Sequence, residues 1–398
     1  MKSRLLKWLV CPQCRGGLTL LVAQSERISL SAGDYEILER TAPIENRDEV
    51  EIEITNGALS CEHCRVYYPI LNGVPRMLTY SSEVAQLHAN LNSDWLTENV
   101  GNHSLPAASP PLGEENVLRN FSSEWTGYKW TGDSYWNVST VNALICKRYE
   151  LGLDKHRLKH KLALEVGIGI GGTAHMLSRS EECEIVGIDL GYAVDQARHY
   201  FGQNPLLHIV QASVFAPPFR PNTFDVVYSH GVLHHTHSTL AAFTSIAALA
   251  KEVDGMLYVW LYSHEHEQVN ALRRLLMAIE TLVRPVLSRL PKIAQTAALL
   301  PTLPFYVLYQ NLHIRRRYGA EHTAKYGWNE ALHAARDRLT PPFAHRHSYE
   351  EVAEWFRSQK YPYLELLCNE QPPPSVPESY CQNVGIRGFR HQPDAVVG

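Results

Sequence analysis

What this chain lacks most plainly is a surplus of charge of either sign: 37 Lys and Arg stand against 41 Asp and Glu, a formal net charge of −4 over 398 residues. A protein built to hold a polyanion carries a basic excess, so nucleic acid is disfavoured as its main partner. Uninterrupted apolar runs are also missing. The most apolar late segment, IAQTAALLPTLPFYVLYQNL from Ile293 to Leu312, carries Pro301, Pro304 and two glutamines, which argues against a spanning helix and leaves surface contact with a membrane open. MKSRLLKWLV begins basic, but Lys7 interrupts an apolar run too short for a signal peptide, so the expected location is the cytoplasm. Of eight cysteines, four fall in two C-x-x-C pairs and four stand alone at Cys146, Cys183, Cys368 and Cys381. That pattern favours a reducing compartment over a disulfide framework.

What is present divides the chain. Residues 1–80 read as a small β-rich unit, with Cys11 and Cys14 in LVCPQCRGGL, Cys61 and Cys64 in GALSCEHCRVYYPILNGVPRML, and strand-like EVEIEI between them. Two tight turns that each offer two thiolates can close a tetrahedral four-cysteine site for structural zinc, and a ribbon this small has little core without its metal. The alternatives are turns that have lost the metal and a catalytic dithiol. Through C-P-x-C, the second C-x-x-C and the run Tyr68, Pro69, Ile70, NGVPRM, the unit resembles the small zinc-ribbon proteins that bind and activate several tRNA and protein methyltransferases.

Residues 81–150 read as a polar, proline-bearing linker followed by the aromatic stretch NFSSEWTGYKWTGDSYWN, which either packs between units or forms a lid with a ring beside a cation. Residues 151–262 alternate strand and helix as a parallel sheet requires. From 263 to 346 only helical patterns appear, an insertion expected to cap the end of the sheet where ligands bind. The strand and helix rhythm resumes over 347–398. Arg273, Arg274, Arg284, Arg289 and Arg315 to Arg317 of the insertion read as solvated helix faces, with an anionic or lipid-like substrate, a carrier protein or a partner helix as alternatives.

The stretch LALEVGIGIGGTAHML, Leu162 to Leu177, fits two glycine spacings, that of dinucleotide binders and that of S-adenosylmethionine binders. Charge separates them. Glu165, two residues before Gly167, opposes a pyrophosphate and favours the ammonium and sulfonium of S-adenosylmethionine. The absence of a Lys after the glycines removes the P-loop. Asp189, about twenty residues on, suits a ribose diol in either cofactor.

QASVFAPPFRPNTFDVVYSHGVLHHTHSTLAAF is similar to the third and fourth strands of class I S-adenosylmethionine-dependent methyltransferases, and DRLTPPF with SYEEVAEWF extends the resemblance. It implies an α/β fold: a Rossmann-like, doubly wound, mostly parallel seven-stranded sheet with an antiparallel last strand, here joined to the ribbon and the helical cap. It implies that Glu165, Gly167 and Gly169 lie under the methionine part and that Asp189, with Leu190, holds the ribose. It also implies that Ser213 and Val214 flank adenine and that Ser229 or His230 closes the site; Tyr128, in the aromatic stretch, is the candidate lid ring. Where the family commonly has an Asp to accept the adenine amine, this chain has Ser213, whose hydroxyl is expected to accept it instead.

For chemistry, the candidate catalytic residues are His230 at the carboxyl end of the fourth strand, Tyr262 just past the fifth, and His345, which returns to the core after the insertion and could face the pocket, since a protonated acceptor needs a base. His234 and His235 read as loop anchors, and His235 with His237 as a weaker metal pair. The expected function is methyl transfer to a small or medium organic acceptor, a metabolite or natural-product intermediate. The alternatives are aminocarboxypropyl transfer or cyclisation with release of methylthioadenosine, RNA methylation, and a non-catalytic scaffold. A protein partner or a homodimer could form through the ribbon or the insertion.

Overall fold

The computed structural model describes residues 1–125, 157–263, 271–318, 327–366 and 383–392; Tyr128 and the aromatic residues after it lie outside them. The N-terminal unit is an antiparallel sheet in sequential order, β1 Thr19–Arg27, β2 Ile52–Cys61, β3 Val66–Leu71 and β4 Val74–Pro75. Its last hairpin turns through Asn72 and Gly73, both at positive φ (50° and 79°), the backbone that an Asn-Gly pair adopts at low cost. Helix α1, Ala32–Thr41, starts at a Ser31 and Asp34 capping box, and α2, Asp48–Glu51, precedes β2.

The segment read as a linker folds as two short helices, α3 Glu83–Leu91 and α4 Ser93–Asn99. Ser82 caps α3, and Leu96 and Val100 pack on Ala58 and Tyr67 of the small sheet. That burial outweighs the weak helical preference of so polar a stretch. Helix α5, Glu114–Trp125, follows.

The main sheet has seven strands: β5 Leu162–Val166, β6 Glu184–Asp189, β7 Leu207–Gln211, β8 Val226–His230, β9 Met256–Leu261, β10 Tyr363–Leu366 and β11 Val384–Phe389. Their order is β10-β11-β9-β8-β5-β6-β7, and only the last strand, β11, runs antiparallel to its neighbours. Helices α6 Gly172–Ser180, α7 Ala193–Phe201 and α8 Thr239–Ala247 join the parallel strands. Every residue of β5 is buried, as a central strand covered on both faces demands. Asp225 of the F-D-x-V motif accepts the Leu162 N–H at 2.9 Å and so fixes the start of β5. The strand order reverses between β5 and β8, which opens a ligand crevice at their carboxyl ends.

After β9 the described insertion is helical: α9 Ala271–Leu287, α10 Lys292–Leu299, α11 Leu303–Tyr318 and α12 Trp328–Leu339. No helix among the described residues is long and apolar enough to cross a membrane. Arg284, grouped in the sequence with solvated charges, is instead buried and donates to the Arg338 carbonyl at 2.9 Å. Helix α13, Tyr349–Ser358, leads back to β10.

The two sheets share one hydrophobic core, in which Met1, Leu5, Trp8 and Leu9 cluster with Leu162, Val186 and Phe219. Strand β7 would otherwise be an open edge. Instead Arg76 bridges to Gln211, the Met77 N–H donates to the Gln211 carbonyl at 2.7 Å, and the Val10 N–H donates to the Pro218 carbonyl at 2.9 Å.

Candidate functional site

Beyond β5 the chain turns through Gly167, Gly169 and Gly171 with φ of 85°, 55° and 81°, conformations that favour glycine. Two of these glycines serve different ends. A Cβ on Gly167 would lie 2.2 Å from Val232 Cγ2, so this glycine lets the loop after β8 pack onto the turn; a Cβ on Gly169 would meet nothing within 4 Å, so this glycine borders open space. At the base of the turn, Glu165 is buried and accepts the Tyr228 hydroxyl at 2.9 Å.

Asp189, at the end of β6, leans towards the same turn. Its carboxylate accepts the N–H groups of Gly169 and Gly191 at 2.9 and 2.8 Å, while desolvation in the crevice raises its pKa above the ordinary value. Further donors, such as a ribose diol, would favour its charged form. The Leu190 carbonyl accepts the Gln211 amide at 2.9 Å.

Past β7, the Ser213 hydroxyl donates to Glu114 Oε2 at 2.6 Å and accepts the Phe215 N–H at 3.1 Å. Glu114 Oε1 accepts the Tyr80 hydroxyl at 3.0 Å, and Glu114 is only 4% exposed. The Val214 carbonyl accepts the Ser245 hydroxyl, and the Ser229 hydroxyl donates to the Val166 carbonyl at 3.1 Å. Ser122 of α5 accepts the Tyr192 N–H at 2.9 Å, so α5 lies across the crevice from β7 to β6.

The carboxyl ends of β8 and β9 gather the remaining candidates around His234. His230 stacks on Trp260, with ring centroids 4.5 Å apart. Tyr262 lies 3.9 Å from the His234 ring and donates to Asp337 at 3.4 Å. Its burial, followed by Asp337, pushes the phenol well above its usual range, so it serves as a donor. The His345 N–H donates to the His234 carbonyl at 2.9 Å, and His345 Nε2 is buried with no hydrogen-bond partner among the described residues. Neither ring nitrogen of buried His234 has a partner either, and burial holds it well below the ordinary histidine value, hence neutral. His235 Nδ1 donates to the Phe343 carbonyl at 2.9 Å, its Nε2 has no hydrogen-bond partner among the described residues, and its ring meets Phe121 of α5 at 5.3 Å. With Phe343 lying where a Cβ on Gly113 would fall, the insertion and α5 close over the crevice together.

In the N-terminal unit, the sulfurs of Cys11, Cys14, Cys61 and Cys64 all lie within 4.8 Å of one another, the one such cluster of three or more metal-ligating groups among the described residues. Cys14 and Cys61 are 3.6 Å apart, and Cys11 and Cys64 3.9 Å. Zinc–sulfur bonds of about 2.3 Å in a tetrahedron put sulfurs about 3.8 Å apart, so the donor set fits zinc. His235 and His237 join no such cluster among the described residues.

Glu114, Tyr80, Ser122 and Val232 were not legible as site residues. Val232 and Ser122 lie in the quoted SHGVLHH and NFSSEW stretches without being singled out there, and nothing local marks Glu114, which lies 99 positions from Ser213.

A family profile described as a methyltransferase domain matches residues 164–259, and one described as Trm112p-like protein matches residues 2–73. The chain is 29% identical to the sterol 24-C-methyltransferase of Candida albicans over 168 residues, covering 39% of this chain and 44% of the relative. It is 24% identical to that of Kluyveromyces lactis over 165 residues, 40% and 44% of the two chains. It thus spans less than half the length of these curated relatives. Among solved structures, it is similar to magnesium protoporphyrin IX methyltransferase from Synechocystis PCC 6803 (12% identity, 70% of this chain, 100% of that one, TM-score 0.40). A complex of the Haloferax volcanii Trm112 methyltransferase activator with a putative methyltransferase is also similar (13%, 70%, 99%, TM-score 0.37).

Proposed function

Since this chain joins a class I S-adenosylmethionine-dependent methyltransferase domain to an N-terminal Trm112p-like domain, we propose that it transfers a methyl group from S-adenosylmethionine to a small or medium organic acceptor. The observation that carries this reading is the pairing of open space over Gly169 with the Asp189 carboxylate at its edge. A nucleoside fits there with its ribose on Asp189 and its cationic tail over the turn that Glu165 underlies. When bound, this cofactor supplies an electrophilic methyl carbon on a sulfonium.

The chain's own residues supply alignment and proton handling. Val232 and the loop after β8 pack on Gly167 and bound the methionine end of the crevice. His345, whose Nε2 has no partner among the described residues, and His230, stacked on Trp260, are the groups that can take a proton from an acceptor. Tyr262, whose hydroxyl proton goes to Asp337, can orient an acceptor through the lone pairs of its oxygen. Closure by α5 and the insertion supports a compact acceptor over a long polymer, and the near-neutral charge disfavours RNA.

The four sulfurs support a structural zinc in the N-terminal unit, which residues Cys11, Cys14, Cys61 and Cys64 would hold. That unit is docked on the chain's own core through Arg4, Val10, Arg76 and Met77, which supports the reading that its methyltransferase partner is this chain itself. Reduced thiols of this kind suit the cytoplasm.

The test is product analysis. The purified full chain is incubated with S-adenosylmethionine and a panel of small acceptors, and the nucleoside products are read by mass spectrometry. S-adenosylhomocysteine is expected; methylthioadenosine in its place would overturn methyl transfer in favour of attack on the aminocarboxypropyl carbon.

A further inference from the structure

Past the end of β7, a buried carboxylate from α5, Glu114, sits on Ser213. With the methionine part over the β5 turn and the ribose at the end of β6, the base of a bound nucleoside must extend towards the end of β7, where Ser213 lies. The exocyclic amine of adenine donates hydrogen bonds, so that end needs an acceptor. Ser213 is the weaker of two acceptors there: its proton is given to Glu114 and the Phe215 N–H takes one of its two lone pairs, which leaves a single neutral one. The expectation that the Ser213 hydroxyl itself accepts the amine is the competing assignment.

Glu114 is the acceptor at hand. Each of its oxygens receives one bond, from Ser213 and from Tyr80, which leaves lone pairs on both, since a carboxylate offers about four acceptor sites. It opens α5, where the first N–H groups favour a negative side chain. Burial raises its pKa, so an added donor would favour the charged form. Eight residues along the same helix, a rise of about 12 Å, Ser122 lies over Gly191 beside the ribose acid. Helix α5 therefore touches the crevice at the base end and at the sugar end.

We propose that Glu114, held between Ser213 and Tyr80, accepts the exocyclic amine of the cofactor's adenine. Tyr80, which follows the small β-sheet, is then a positioning residue through which the N-terminal unit helps complete the nucleoside subsite. This rests on the cofactor reading above.

The experiment measures, by calorimetry on the full chain, the affinities for S-adenosylhomocysteine and for S-inosylhomocysteine, in which a carbonyl replaces the amine. A charged hydrogen bond is worth roughly tenfold to a hundredfold in binding, so the unaltered chain should prefer the adenosyl ligand by at least about tenfold. Glu114→Gln keeps the shape and can donate through its amide, so it should lower or reverse that preference. Tyr80→Phe should reduce the preference less, and circular dichroism reports whether either variant remains folded. If Glu114→Gln is folded and keeps the full preference, Glu114 is not the acceptor while the cofactor reading stands. If Glu114→Gln does not fold, the proposal is decided by the unaltered chain and Tyr80→Phe: equal affinity for both ligands in the former overturns it, and a reduced preference in the latter supports it. If the unaltered chain binds neither ligand, the proposal and the cofactor reading fall together.

Discussion

Arg4 of the N-terminal unit grips Glu184 of β6 with two hydrogen bonds, at 2.8 and 3.0 Å, and neither side chain reaches solvent. Although burial pushes the other way, His208 at 2.7 Å and Arg4 hold the Glu184 carboxyl below its usual range. Burial lowers the His208 value in turn, so His208 is a neutral donor and Arg4 is the counter-charge. Arg4 also donates to Glu49 at 3.1 Å and so keeps a counter-charge without Glu184, whereas loss of Arg4 leaves the buried Glu184 charge with only neutral His208. Arg4→Met should therefore cost about 3 to 5 kcal/mol in chemical unfolding, whereas the joint Arg4→Met, Glu184→Leu change should recover much of the loss. A cost under about 1 kcal/mol for the single change would show that the pair does not hold the units together.

The two glycines of the β5 turn should fail differently. Gly167→Ala drives a methyl into Val232 and should destabilise the fold by about 1 to 3 kcal/mol. Gly169→Ala faces no wall and should cost only the left-handed strain of about 1 to 2 kcal/mol, yet its methyl enters the space proposed for the methionine part. Thermal melts paired with ligand titration separate the two outcomes; full affinity in Gly169→Ala would place the ligand elsewhere.

Chelation probes the four cysteines. One zinc per chain is expected by elemental analysis, and its removal should melt the N-terminal unit first, since so small a sheet depends on its metal. Because that unit covers the β7 edge and leads to Tyr80, affinity for S-adenosylhomocysteine should fall with the metal and return on adding zinc. A chelated chain with unchanged melting would show that the sulfurs hold no structural ion.

Acid should loosen the contact between α5 and α12. Burial lowers His333 to about 4 from an ordinary 6.5, and its ring meets Trp125 at 4.7 Å. The folded chain resists this proton and the unfolded chain takes it. Stability carries no such penalty above pH 6.5 and falls as pH drops from there towards about 4, by up to about 1.4 kcal/mol per pH unit. His333→Phe should flatten the melting temperature between pH 7 and pH 5; an unaltered slope would assign the acid sensitivity to other groups.

Much of this was readable because it is local. The glycine turn, Asp189 and the two C-x-x-C pairs are spacings within one segment, and the alternation of buried strands with helices marks the parallel sheet. The unreadable parts depend on distance. Leu96 and Val100 turn a polar, proline-bearing stretch into helices only because Tyr67 and Ala58 offer them a surface. Arg4 and Arg284 look like ordinary surface cations until their buried partners are known. Glu114 looks like one of two acids at a helix start until Ser213 is beside it.

Calorimetric titration of the full chain with S-adenosylhomocysteine is the most direct test of cofactor binding. One site per chain is expected, with affinity reduced at least about tenfold in Asp189→Ala through loss of the two charge-assisted hydrogen bonds proposed to the ribose. Absence of binding in the unaltered, folded chain, or equal binding in Asp189→Ala, would contradict the cofactor reading.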